Sequence, residues 1–138
     1  MTDIPEHCSE IHRKRTFRVT EQQSTVIFDN PNLRETNQIA VDDCVLQSGE
    51  RCDWLFIVKG NNLTIFVELK GSDIDKALQQ LITTQTKLIA HVEKHCVWIV
   101  SYSGSPRFNT TIQNLMLTTR RQYHARLIVE NSPFTYSY

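Results

Sequence analysis

Long apolar runs are missing from this 138-residue chain, and so is any excess of one charge. The longest hydrophobic stretches are far too short to cross a bilayer, which needs about 20 apolar residues in helical form. Lysine plus arginine number 15 and aspartate plus glutamate 15, for a net charge of zero. Coating nucleic acid by charge alone is thereby excluded, though a local basic face beside an acidic metal site is not. The first ten residues, MTDIPEHCSE, contain no apolar core of a signal peptide. The four cysteines (Cys8, Cys44, Cys52, Cys96) form no CxxC pair. They are expected to be free thiols in a reducing, cytoplasmic compartment, mostly packed as small hydrophobes. Zinc held by His7, Cys8 and His12 matches no common ligand spacing. There are no internal repeats, no low-complexity tracts and no linker, so residues 1–138 are expected to form one domain.

What is present is an alternation of strand-like and helix-like segments. Residues 1–16 are polar and end in the basic cluster His12-Arg13-Lys14-Arg15, read as an arm or a short first helix. Residues 17–28 predict a strand, and Asp29-Asn30-Pro31-Asn32 a turn. Residues 38–46 predict a strand interrupted at Asp42-Asp43, a pair that suits either a turn or charge near a site. Residues 52–59 and 63–70 are strands by their β-branched and aromatic content, joined through Gly60-Asn61-Asn62 as an antiparallel hairpin. Apolar residues from Ile74 to Val92 recur at helical spacing, with Ser72 as the expected N-cap and Asp75 three residues on. Residues 95–102 are nearly all apolar, as in a strand covered on both faces. A second helix within 109–123 and a strand over 125–130 follow. The tail NSPFTYSY shows no period. The fold class expected is α/β, a mixed central sheet with flanking helices.

Strand 63–70 carries an acid and a base two residues apart, Glu68 and Lys70, which therefore share one face. The hairpin brings Asp53 to the same end of the ladder. Two carboxylates and an ammonium at the open end of a sheet suit a divalent cation, Mg²⁺ with Mn²⁺ as substitute. Asp53 and Glu68 supply two ligands and the Leu69 carbonyl a third. Lys70 lies where it assists a metal-bound water or steadies phosphate charge. On the bland alternative Glu68 and Lys70 are an ion pair at a strand end, worth under about 1 kcal/mol if exposed.

Asp53, fourteen intervening residues, then Glu68-Leu69-Lys70 and an amphipathic helix resemble the PD-(D/E)xK nuclease superfamily. Cys52 stands where that motif commonly has proline. The resemblance covers roughly residues 38–102, and FVELKGSD with VDDC and CDWLF is similar to small bacterial members without an assigned role. It implies a restriction-endonuclease-like core in the order αβββαβ. It also implies hydrolysis of phosphodiester bonds, DNA more than RNA, by an endo- or exonuclease with Asp53, Glu68 and Lys70 as catalytic residues. A further acid often joins such metal sites; Glu35 is the first candidate and Glu10 the second. Gln80, Arg107, Arg120 and Arg121 are candidate contacts to nucleic acid, and Arg126 belongs to the same basic set. Each of these also reads as an ordinary solvated or buried side chain. Gln85, in the apolar stripe of the helix, is expected to be a buried, satisfied amide. Trp54 and Trp98 are expected in the core. So small a nuclease is expected to read backbone shape, or to act as a dimer or within a larger defence or repair assembly. The alternative is a nuclease-like fold that binds nucleic acid or protein without catalysis.

Overall fold

The computed structural model describes residues 3–69, 72–106 and 111–138. A six-stranded mixed sheet forms its centre, in the order β1-β4-β5-β6-β7-β8. These strands are β1 (Ser9–His12), β4 (Thr36–Ala40), β5 (Trp54–Val58), β6 (Leu63–Glu68), β7 (His95–Tyr102) and β8 (Ala125–Asn131). Pairing is antiparallel from β1 to β6 and parallel from β6 to β8. A second sheet of three strands is ordered β2-β3-β9, with β2 (Thr16–Glu21), β3 (Ser24–Asp29) and β9 (Phe134–Ser137). Two helices, α1 (Ile74–Lys87) and α2 (Ile112–Tyr123), make the parallel crossovers after β6 and β7.

The period of two along each strand sorts the core into two layers. Leu55, Phe66, Trp98 and Val100 join Ile74, Leu78 and Leu81 of α1 on the helix side. Leu115 and Tyr123 of α2 pack against that same cluster. The residues between them in sequence, Phe56, Val58, Ile65, Val67 and Ile99, meet Phe17, Val19, Val26 and Phe28 of the small sheet. Covered on both faces, β6 is buried at all six positions.

Several expectations need correction. Residues 17–28 are not one strand but a hairpin, turning at Gln22 with φ +52°. Its loop residues, Gln22-Gln23, are not the usual turn formers, so the break was hidden in the sequence. The N-terminal segment supplies a short 3₁₀ turn (Glu6–Cys8) and β1 rather than a leading helix. Helix α1 is capped by Asp73, whose side chain accepts from the Lys76 amide at 3.1 Å, and not by Ser72. It ends at Lys87, before the 3₁₀ turn Ile89–His91. The aperiodic tail forms β9, parallel to β3.

Cys8 and Cys44 are joined in a disulfide, with Cα atoms 5.7 Å apart; only Cys52 and Cys96 are free, and both are buried. The bond is at odds with the reducing compartment that four thiols implied. Antiparallel pairing of β1 with β4 brings the segments together, a proximity no sequence spacing encodes. Among the described residues no helix is long and apolar enough to cross a membrane.

Candidate functional site

The pairing of β5 with β6 ends at Trp54↔Val67, and continuing that register by one residue sets Asp53 across from Glu68. By strand alternation both acids face the helix side, with Leu55 and Phe66. Asp53 is 3% exposed and Glu68 0%. Asp53 is held through three contacts. Its amide donates to the Val67 carbonyl at 3.1 Å, and its carbonyl accepts from the Val41 amide at 3.1 Å. Its Oδ2 accepts from the Leu69 amide at 2.9 Å. The side chain thus takes over where the backbone ladder stops. The Leu69 amide is engaged with the acid, while the Leu69 side chain turns to the opposite core.

Helix α1 fixes this corner from above. Thr84 Oγ1 accepts from the Cys52 amide at 2.8 Å and donates to the Gln80 carbonyl at 2.7 Å. Gln80 lies one turn before Thr84, on the same edge of the helix, and is buried. The Cys52 thiol is raised far above the ordinary thiol range. Burial contributes most and the Glu68 carboxylate next; the Thr84 hydrogen bond opposes the shift, and Asp53 adds to it. One sulfur therefore feels both acids. The sequence drew attention to Cys52 as a packed free thiol and as a departure from a motif, and to Thr84 not at all. The spacing of Thr84 four residues after Gln80 was the available signal.

Lys70 and Arg107 lie outside the described residues. Glu35 is not brought to the acidic corner. Its carbonyl accepts from the Lys59 amide, at the other end of β5 and roughly 20 Å from Asp53 at ~3.3 Å per residue. There its carboxylate pairs with Lys59 at 2.9 Å and Arg13 at 3.6 Å. The Lys59 hydrogen bond and charge hold its pKa below the usual value. Glu10 is exposed on β1, 3.4 Å from Lys14. Asp42 and Asp43 belong to a turn and bind Arg51 at 2.7 and 2.9 Å.

Arg120 and Arg121 are exposed in the last turn of α2. That turn leads into Ala125, which aligns through Cys96 with Thr64, at the opposite end of β6 from Glu68. They do not share the acidic corner. Gln85 is the satisfied amide expected: Oε1 accepts from Trp98 Nε1 at 2.7 Å and from Cys96 Sγ at 3.2 Å, and Nε2 donates to the Tyr123 carbonyl at 2.9 Å. Trp98 is fully buried and Trp54 partly.

Among the described residues, one group of three potential metal-binding side chains gathers within 4.8 Å, namely His7, Cys8 and Cys44. Its two sulfurs are those of the disulfide. The acidic corner offers two carboxylates, one with an oxygen already engaged. Comparison with family models, with curated proteins and with solved structures finds no match to this chain.

Proposed function

We propose that this protein is a metal-dependent nuclease of PD-(D/E)xK type, hydrolysing phosphodiester bonds in DNA more than RNA on a restriction-endonuclease-like core. One observation carries the reading: Asp53 and Glu68, with fourteen residues between them in sequence, lie across from each other on the helix side of the central sheet. The unit β4-β5-β6-α1-β7 supports it with the βββαβ part of that core.

The donor set fits a hard divalent cation at its minimum. Asp53 keeps Oδ1 for a ligand while Oδ2 is fixed by the Leu69 amide, and Glu68 contributes the second carboxylate. Mg²⁺ or Mn²⁺ bound there would polarise a phosphate oxygen and lower the pKa of a coordinated water. The chain's own part is orientation. The backbone contacts of Asp53 and the Thr84 peg on Cys52 hold the acids without further reorganisation. Lys70, two residues after Glu68 in the sequence, is the base that would steady charge on the phosphate. Gln80, on the α1 edge above, is the nearest candidate for a phosphate contact.

A second reading draws on the near-complete burial of both acids. In it they are structural, and the fold binds nucleic acid or protein without hydrolysis. An assay on linear, nicked, branched and single-stranded DNA, with Mg²⁺ or Mn²⁺, separates the two. The enzyme predicts cleavage that falls at least about 100-fold in Asp53→Asn, Glu68→Gln and Lys70→Ala, the scale of losing one preorganised electrostatic contact. Calorimetric titration with Mn²⁺ should lose its signal in Asp53→Asn. Cleavage unchanged in all three variants would remove the enzymatic reading.

A further inference from the structure

Strand β8 closes one side of the central sheet, with no strand beyond it among the described residues. An edge strand turns unpaired N–H and C=O groups outward, and proteins commonly blunt such edges with proline, bulges, inward charge or a covering element. This edge is seven residues long, ARLIVEN, with neither proline nor glycine. A groove of about 370 Å³ follows it, walled by Ile112 and Met116 of α2 and by Phe134 and Tyr136 of β9. Helix α2 leaves Met116 41% and Leu117 53% exposed beside the same strand.

The charge pattern of the edge says what fits it. Arg126 and Glu130 are exposed and flank Ile128, two positions to either side and on the same face. Among the described residues neither forms an ion pair with another side chain. Turn a second copy about a twofold axis through Ile128. Its β8 then runs antiparallel, each Arg126 faces the other copy's Glu130, and Ile128 meets itself. Opposed charges at directly paired positions favour that register, whereas a parallel or shifted partner loses both pairs.

We propose that β8 is a self-association edge: two copies join antiparallel about Ile128 into one continuous twelve-stranded sheet, counting six from each. The axis stands perpendicular to the sheet, so both α2 helices stay on one face and set Met116 and Leu117 against their counterparts. Such a contact is isologous and closes at two copies. The helices add the apolar area that a strand pair alone lacks for a stable interface. Nothing in this depends on the nuclease reading.

The test is a sedimentation-equilibrium concentration series on the full chain. The wild type should dimerise. Arg126→Glu and Glu130→Arg, each alone, should weaken the dimer more than tenfold, because like charges then face each other twice. An equimolar mixture of the two should recover a dimer containing one of each, since one carries acids at both positions and the other bases at both. Leu117→Lys should weaken the dimer independently. Circular dichroism confirms that these exposed-site variants fold. A wild type that stays monomeric across the series overturns the proposal, as do single variants that dimerise like the wild type or a mixture that remains monomeric.

Discussion

The two faces of the central sheet are built from alternate residues of the same strands, yet they differ in kind. Toward the small sheet the contents are rings and branched aliphatics: Phe28 lies 5.0 Å from Phe17 and 4.6 Å from Phe56 between ring centroids. Toward the helices the layer is threaded with polar and titratable groups, namely Thr64, Gln85, the Cys52 and Cys96 thiols, Asp53 and Glu68. Each buried polar group on that side demands a geometric answer. Thr64 Oγ1 accepts from the Glu93 amide at 2.8 Å, and Gln85 makes three contacts. Both faces fix some polar atoms by burial, the small-sheet side through Thr36 with Tyr138 and Ser101 with Thr25, but among the described residues only the helix side buries carboxylates, so it is the face that can also carry chemistry.

The largest test of that contrast is Phe28→Ala. Removing a fully buried ring from the apolar face should cost about 3–5 kcal/mol in urea unfolding, since nothing polar is left behind to rearrange. On the helix face, Gln85→Ala should cost about 1–3 kcal/mol, chiefly by stranding the Trp98 indole N–H. If Gln85→Ala cost more than Phe28→Ala, the division between a binding face and an adhesive face would have to be redrawn.

The smallest effect is alkaline and separates the faces by pH. Burial raises Cys52 and Cys96 above the ordinary thiol value of 9.0, Cys96 to about 12. Below pH 9 folded and unfolded chains both hold these protons, so the stability is intact. Above it the unfolded chain releases them first, and stability falls as pH rises toward 12, by on the order of 1 kcal/mol per thiol at pH 10. Tyr136 and Tyr138, on the small-sheet side, are also raised by burial, but from 10.0. Unfolding midpoints should therefore decline between pH 9 and 10 through the helix-face thiols, with the tyrosines joining above 10. Cys96→Ala should flatten the first part of that decline and leave the second.

The faces were legible in the sequence to different degrees. The hairpin through Gly60-Asn61-Asn62 and the β6-α1-β7 crossover follow from period and turn chemistry, and Asp53 opposite Glu68 follows from the hairpin alone; for α2 and β8 the sequence marked the elements but not their parallel crossover. Contacts between distant segments do not. The pairing of β9 with β3, the Cys8–Cys44 bond and the packing of Phe28 on Phe56 join segments far apart in the chain, and no local pattern states which will meet. Glu35 shows the same limit. It precedes β4, and as the first candidate for a further acid it was expected near the site, but antiparallel register carries it to the far end, against Lys59. The two Arg residues of α2 stand away from the acidic corner for a related reason, since a crossover helix runs back along the strands and delivers its last turn to the other rim.

The parallel pairing of β3 with β9 reaches from Val26 to Phe134. During synthesis, the Thr16–Asp29 hairpin must therefore wait through more than a hundred codons before its third strand exists. A lone hairpin is barely stable in water. For that interval Phe17 and Phe28 have no finished layer to hide in, the kind of transient apolar exposure that invites aggregation.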